Sequence, residues 1–379
     1  MRCGIFQHGF ALLEQDPHQP SVGVDFASGL NRLDDDWPII TRLKLLVCRA
    51  YRMIMQGYRV ENPEGPFTSI ALPRPTPIGK QVLVRIHAAG INPLDTKIRS
   101  GSAPHAKQPL PAVLGLDMSG IVDAVGPDVT AFRGGDEVYG MVGGVGGLQG
   151  TLAQYIVTNA DLLALKPKSL TMRESAALPL ITITAWQGLI DQAHVRKGQR
   201  VLVHAGAGGV GHIAVQLAKS FGADVFATVS PQKEHIVRGL GAVSIDYHSL
   251  STAEYVALHT EGQGFDIVYD TVGGATIDAA FEAVRPYTGH VVSCLGWSTH
   301  SLAPLSFRNA TYSGVFTLTP LLTGVGQSRL GGILTEAAKL VDDGKLKPLV
   351  SERRFPPAEL EAAFSLVKSG STGKVVVEI

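Results

Sequence analysis

From Gln56 onward the apolar positions fall into short runs separated by Pro and Gly, and from about Glu174 their spacing changes. In the first stretch Val82-Leu-Val-Arg-Ile86, Gly120-Ile-Val-Asp-Ala124, Glu137-Val-Tyr139 and Ala153-Gln-Tyr-Ile-Val157 read as strands of an all-β module that opens at Gly57-Tyr-Arg-Val60. Prolines 63, 66, 73, 75 and 77 suit its loops and edge strands, because proline has no N–H to give to a ladder. After 174 apolar runs alternate with helical spacing, and strands are predicted at 200–204, 224–229, 243–246, 265–270, 290–294 and 314–317. That alternation predicts a parallel sheet covered on both faces. A helix from Gly331 to Asp343 and a last strand, Val375-Val-Val-Glu-Ile379, complete the chain, whose end is expected to return to the first module.

One junction carries chemistry. Arg200-Val-Leu-Val-His204 runs into Gly206-Ala-Gly-Gly-Val-Gly211, and Val210, Ile213, Ala214, Leu217, Ala218 and Phe221 then recur on one helix face. A second strand, Asp224 to Val229, closes a unit of roughly 30 residues. A lone G-x-G-x-x-G is weak, but strand, glycines, helix and strand in this order predict an α/β fold with a Rossmann doubly wound parallel sheet and a bound dinucleotide. Gly206 permits the tight turn, Gly208 lets N–H groups approach a pyrophosphate, and Gly211 lets the helix pack closely on the sheet. The plainer alternative, a Gly-rich turn without a ligand, leaves the flanking elements unexplained.

Composition narrows the picture. Apolar residues make up 45% and charged residues 17%, which excludes a disordered chain. Lys plus Arg and Asp plus Glu both total 33, so no net basic field draws nucleic acid. Cys3, Cys48 and Cys294 are too scattered for a disulfide framework or a Cys-rich zinc site, and they point to a reducing, cytoplasmic compartment. No run of about 18 apolar residues occurs, so no membrane span is predicted.

Residues 1–52 differ from the rest. They carry Glu14, Asp16, Asp25 and Asp34-Asp35-Asp36 with little periodicity, followed by a basic apolar segment from Pro38 to Met55. The acids disfavour a mitochondrial transit peptide, and a secretory cleavage pattern is missing. Residues 39–55 fit an amphipathic surface helix interrupted by Arg42, Lys44, Arg49 and Arg52, although an appended leader, with Met53 or Met55 as the true start, is the better reading. The chain then divides into a leader (1–52), a β-rich domain (53–173), a dinucleotide-binding domain (174–318) and a C-terminal segment (319–379) returning to the β-rich domain.

Several motifs in order give the chain a family likeness over about residues 57–379. They are Gly90-Ile-Asn-Pro-Leu-Asp-Thr-Lys-Ile-Arg-Ser-Gly101, Leu114-Gly-Leu-Asp-Met-Ser-Gly120, Gly134-Gly-Asp-Glu-Val-Tyr-Gly140, Gly150-Thr-Leu-Ala-Gln-Tyr155, Leu178-Pro-Leu-Ile-Thr-Ile-Thr-Ala-Trp186, the glycine loop and Tyr269-Asp-Thr-Val-Gly273. In these the chain resembles the medium-chain dehydrogenase/reductase superfamily, in particular its zinc-independent quinone oxidoreductase branch, which includes zeta-crystallin. The resemblance implies a GroES-like catalytic domain, a Rossmann domain and a substrate cleft between them. It also implies no metal: Asn92 stands where zinc-binding members have a first Cys, Leu116-Asp117 where they have His-Glu, and Gly143 to Gln149 contains no Cys. Histidines 87, 105, 204 and 212 read as structural or solvated.

The cofactor's phosphate preference turns on the end of the second strand. NAD-specific Rossmann proteins place a carboxylate there to bind the ribose hydroxyls. Here Val229 and Ser230 offer none, Ser230 can donate to a 2′-phosphate, and Lys233 is placed to neutralise it, unless Lys233 is merely a solvated helix residue. NADPH is therefore expected. By resemblance Tyr247 joins the phosphate contacts, Gly209 and Val210 lie under the pyrophosphate, and Thr271 lies on the adenosine side. The resemblance also places Asn92 to Lys97 beside the nicotinamide and ribose, and Thr184, at a helix start, near the nicotinamide. Leu295-Gly296-Trp-Ser298 follow the nicotinamide half, Phe316 to Leu318 face the carboxamide, and Lys374 lies at the cofactor's edge.

Without a metal to polarise an acceptor, hydride transfer suits a small molecule that is already electron-poor, a quinone or an α,β-unsaturated carbonyl. Asn92, Asp95 and Lys97 are the polar candidates for catalysis, Lys97 as electrostatic partner or proton donor, while Asp95 equally fits a loop-fixing role. Quinone reductases of that branch have Tyr where Lys97 stands, so the resemblance carries no phenol-dependent substrate contact to this position. NADPH:quinone reduction is the leading expectation; enoyl or 2-alkenal reduction and non-catalytic NADPH binding are the alternatives. The Gly-rich stretch from Gly140 to Gly150 is expected to border the cleft, and a homodimer joined along the edge strand near Ala310 to Phe316 is expected as well.

Overall fold

The structure, a computed structural model, describes residues 53–379. The expected leader lies outside the described residues. So does most of the expected helix over 39–55, and its last residues, Ile54 and Met55, belong to the first strand, β1 (Ile54–Val60).

β1 pairs with β2 (Phe67–Pro73) and with β4 (Ala112–Val113) in a small antiparallel sheet. The larger antiparallel sheet is built around β3 (Gln81–Ile91), a central strand whose Val82, Leu83, Val84, Ile86, Ala88, Ala89 and Ile91 are all buried, as one covered on both faces requires. β3 pairs with β5 (Asp117–Val125) and β7 (Tyr155–Asn159), and β5 continues the sheet through β6 (Glu137–Met141) to β8 (Leu163–Leu165).

The second large sheet is parallel, with β9 (Arg200–Val203), β10 (Asp224–Val229), β11 (Val243–Asp246), β12 (Ile267–Asp270), β13 (His290–Ser293) and β14 (Thr311–Gly314) in the order β11-β10-β9-β12-β13-β14. This is the Rossmann order, with its switch point between β9 and β12, where the carboxyl ends of the strands open a ligand crevice. Val201, Leu202 and Val203 have no exposed surface, as expected for a strand covered on both faces.

The outermost strand corrects one expectation: it spans Thr311–Gly314, ending where the strand predicted over 314–317 begins. The apolar residues that prompted that prediction lie beyond the strand, Val315 and Leu318 packing into the core and Phe316 standing 39% exposed. Polar Thr311 and Ser313 form the ladder instead, which an edge strand tolerates because one of its sides needs no apolar cover.

β15 (Val375–Glu378) returns to the antiparallel sheet and pairs with β3, Val375 opposite Ile91. That long-range pairing sets the residue just before it, Lys374, against the end of β3, and so shapes the site.

Candidate active site

The glycine loop leaves β9 through Ala205, which has a positive φ of 54°, and enters helix α2 (Gly209–Ser220); α1 (Pro93–Arg99) belongs to the other sheet. The loop is pinned to β10: Ala205 N–H donates to Thr228 Oγ1 (3.0 Å) and Gly206 N–H to Thr228 O (3.0 Å). A Cβ on Gly206 would come within 2.4 Å of the Ala227 Cβ, and one on Gly211 within 2.1 Å of the Ala205 carbonyl oxygen, so no larger residue fits. Gly208 caps α2 without a side chain and Gly209 is exposed, which leaves first-turn N–H groups open to an anion. This cradle fits a dinucleotide pyrophosphate.

At the end of β10 Val229 is buried, past it Ser230 and Lys233 are partly exposed, and Tyr247 is exposed against His248. Nearby Arg238 is occupied by Glu234 at 2.6 Å, whereas Lys233 enters no ion pair among the described residues. Thr271 donates its hydroxyl to His204 O (2.7 Å), so its side chain orders the loop. The adjacent Asp270 is a buried hub, accepting from Gly273 N–H (3.0 Å), Thr276 (2.6 Å) and Ser293 (2.8 Å). Burial pushes the Asp270 carboxyl up, but the His204 ring 3.5 Å away and the bonds from Thr276 and Ser293 outweigh that and hold it below the usual range.

Thr184 departs from its expected place at a helix start. The helix begins at Pro179, and Thr184 lies in its second turn, buried, with its hydroxyl turned back to Leu180 O (2.7 Å). Leu295 and Gly296 follow β13. Leu295 N–H is held by Ser293 Oγ (3.1 Å), and Gly296 lies against the Tyr312 hydroxyl, which a Cβ would approach to 2.2 Å.

The floor lies under the first turn of α1. Asn92 Nδ2 donates to Asp117 Oδ2 (3.0 Å), and Asp117 Oδ1 accepts Leu180 N–H (3.0 Å). The Lys374 ammonium donates to Asn92 Oδ1 and to Ile91 O (3.1 Å). Asp95 Oδ2 accepts Asn92 N–H (2.7 Å), a loop-fixing bond, and its other oxygen is buried without a partner. Asn92, Asp95 and Asp117 have no exposed surface and Lys374 is 5% exposed. Burial pushes both carboxyls up, Asp117 to about 6, against the pull of Lys374, and burial also lowers the Lys374 ammonium. With Lys374 charged and one of the two carboxyls protonated, the cluster is neutral, the form a buried site favours. Asn92, Asp95 and Lys374 thus underlie the site, and Lys97, on the same helix as Asp95, is the exposed member of the expected catalytic set.

A hydrogen-bond chain that sequence reasoning missed joins this floor to the glycine loop. His212 Nδ1 bonds Gly208 O (2.8 Å), Leu349 N–H donates to His212 Nε2 (3.1 Å), and Lys374 N–H donates to Leu349 O (2.7 Å). Because Nε2 accepts, Nδ1 carries the proton and the ring is neutral. Burial pushes its pKa down to about 4. Gln216, one turn on, pairs with Lys347 through both N–H (2.9 Å) and O (3.0 Å). The available signal was His212 and Gln216 at i and i+4 on an otherwise apolar helix.

Residues 79–168 match the family described as the alcohol dehydrogenase GroES-like domain, and residues 240–377 match the zinc-binding dehydrogenase family. Over 328 residues the chain is 32% identical to NAD(P)H oxidoreductase RTN4IP1, mitochondrial, of Danio rerio, covering 79% of this chain and 84% of that one. It is 37% identical over 306 residues to 2-methylene-furan-3-one reductase of Solanum lycopersicum, covering 78% and 71%. A crystal structure of an alcohol dehydrogenase superfamily protein from Novosphingobium aromaticivorans matches with a TM-score of 0.84 at 54% identity, covering 86% of this chain and 99% of that one. The quinone oxidoreductase from Coxiella burnetii matches with a TM-score of 0.73 at 30% identity, covering 86% and 99%.

The zinc named in one family description does not fit this floor. Zinc needs three or four thiolate, imidazole or carboxylate donors converging on one point. Here the group is an amide and two carboxylates already gathered around an ammonium, and no three His, Cys, Asp or Glu residues converge among the described residues. Cys294 lies apart, packed against Asp270 O, its thiol pushed up to about 12 by burial.

Proposed function

The chain belongs to the medium-chain dehydrogenase/reductase superfamily as an NAD(P)H oxidoreductase, and from that premise we propose that it passes hydride from NADPH to a conjugated carbonyl acceptor. The observation that carries this reading is the sealed floor. The Lys374 ammonium is bonded to Asn92, the residue at the position where the zinc-binding members of the family have a ligand, which supports a reading in which the acceptor is electron-poor already.

Each residue has a part in this scheme. The first turn of α2, with Gly206, Gly208, Gly209, Val210 and Gly211, holds the pyrophosphate, and Ser230, Lys233 and Tyr247 surround the 2′-phosphate. Bound there, NADPH supplies a hydride from its nicotinamide. Thr184, Leu295, Gly296 and Phe316 border the nicotinamide half, and Thr271 orders the adenosine side. Hydride arrives at the β carbon of the acceptor while the C=C pair moves toward the carbonyl oxygen. Lys97 offers its exposed ammonium to that oxygen, and a proton from water completes the saturated ketone. Asn92, bonded by Lys374, and Asp95, which accepts Asn92 N–H, fix the helix that carries Lys97.

Among acceptors, an α,β-unsaturated ketone is favoured by the 2-methylene-furan-3-one reductase relative, and a quinone by the likeness to a quinone oxidoreductase. The test is product analysis by mass spectrometry after incubation with NADPH and either a simple enone or a naphthoquinone. The reading expects gain of two hydrogens by the acceptor and matching loss of NADPH. Tight NADPH binding without turnover on either acceptor would instead identify a binding protein.

A further inference from the structure

Helix α2 carries two polar side chains on its buried face, and neither takes part in the hydride-transfer scheme. His212 is 1% exposed and Gln216, one turn on, is 7% exposed. Both bond the segment 346–349, which has neither helix nor strand and follows the helix Gln327–Asp342. Gln216 Nε2 donates back along its own helix to His212 O (2.9 Å), and the same side chain exchanges a pair of bonds with Lys347. His212 repeats that division with a ring. Its Nδ1–H donates back to Gly208 O (2.8 Å), and its Nε2 accepts Leu349 N–H (3.1 Å). Gln216 already ties the segment to the helix, so what His212 adds is a hold on the glycine loop.

The ring grips the least constrained peptide of that loop. The Gly208 carbonyl and the Gly209 N–H are opposite ends of one planar unit, and with glycine on both sides no Cβ restricts its torsions. Gly208 O takes the first helical bond, from His212 N–H (3.0 Å). A second bond from the ring holds the same oxygen toward the helix, which aims the N–H of exposed Gly209 away from it, toward the side read as the pyrophosphate cradle. The other end of the ring meets a strap fixed to the antiparallel half. Leu349 O accepts Lys374 N–H (2.7 Å) and Ser351 N–H donates to Lys374 O (2.9 Å), so the strap brackets the residue whose ammonium bonds Asn92.

We propose that His212 is a positioning residue that holds the pyrophosphate-facing peptide of the glycine loop in register with the strap beside Lys374. The proposal rests on the dinucleotide reading of the loop and adds to it the side chain that sets the loop's working shape. A neutral imidazole suits the task, because one nitrogen donates while the other accepts.

Three variants separate the two ends of the ring. His212→Asn keeps a donor for Gly208 O but not the reach to Leu349, and His212→Leu removes both bonds. His212→Gln keeps both, on the example of Gln216. By calorimetry His212→Leu is expected to weaken NADPH and NADH alike by about 10-fold, because both carry the pyrophosphate, while His212→Asn and His212→Gln stay within about 2-fold of wild type. A packing role alone would give the opposite order, since Leu fills a buried site better than Asn. Hydrogen exchange of the Leu349 amide, followed without cofactor, is expected to quicken about 10-fold in His212→Leu and His212→Asn and to return to the wild-type rate in His212→Gln. Full affinity in His212→Leu, a loss confined to NADPH, equal losses in His212→Asn and His212→Leu, or unaltered Leu349 exchange in both would overturn the proposal. If wild type binds neither nucleotide, the dinucleotide reading fails first and the positioning role falls with it.

Discussion

Replacing Lys374 with Met keeps the length of the side chain and removes its charge from the floor of the site. Two oxygens, Asn92 Oδ1 and Ile91 O, lose their donor, and Asp95 and Asp117 lose the ammonium that faces them. Breaking a buried ion pair costs about 3–5 kcal/mol when the remaining partner stays charged. It need not stay charged here. Burial already pushes Asp117 up to about 6, so holding it protonated at pH 7 costs about 1.4 kcal/mol, and less once the ammonium is gone. With about 1–2 kcal/mol for the orphaned carbonyls, the expected loss at neutral pH is about 3 kcal/mol. The sign of its pH dependence follows from the raised carboxyls. A folded-state value above the usual carboxylate range favours the folded chain while the group is protonated, and that advantage is lost as pH rises through about 6. Without Lys374 the Asp117 carboxyl rises further, so the variant goes on losing stability above about pH 6 where wild type has finished, and the penalty in Lys374→Met should be smallest near pH 5.5 and grow toward about pH 8. Urea unfolding followed by tryptophan fluorescence at both ends of that range measures it, and adding Asp117→Asn should recover part of the loss. A variant as stable as wild type, or a loss that does not change with pH, would refute the buried-ammonium account.

Lys233→Ala should weaken NADPH about 10- to 150-fold and leave NADH almost unchanged, since only NADPH carries the phosphate; equal losses by calorimetry would sink the assignment. His212 should stay neutral from pH 7 down to about 4, followed by nitrogen-15 NMR of its ring, and a midpoint near its ordinary value would contradict the bond from Leu349. Because its folded value is depressed, the stability it contributes is present above its ordinary pKa and is lost as pH falls toward about 4. A homodimer is expected through the free edge of β14, beside the exposed Phe307 and Tyr287, and a monomer by light scattering at micromolar concentration would exclude it.

The sequence disclosed what local chemistry enforces. Gly206 and Gly211 stand where a Cβ would collide with neighbouring atoms, and Val201 to Val203 form an unbroken apolar run because both sheet faces are covered. Long-range pairings were less legible. Lys374 reaches Asn92 across 282 residues, and only the pairing of β15 with β3 makes that contact, which no local pattern around Lys374 announces. The strand over Thr311–Gly314 was misplaced because its edge position relaxes the apolar alternation by which strands are recognised, while the apolar Val315 and Phe316 lie just beyond it. His212 read as structural or solvated without a partner in view, because Leu349, whose N–H it accepts, lies on a distant loop with no motif of its own.

The central claim is hydride transfer from NADPH to a conjugated ketone at a floor held by an ammonium. Its most direct measurement is the initial rate of NADPH oxidation with 4-phenylbut-3-en-2-one, before and after exhaustive chelation, with NADH in parallel. The account predicts turnover that chelation leaves unchanged and a clear preference for NADPH. Activity lost to the chelator and restored by zinc, or a preference for NADH, would contradict it.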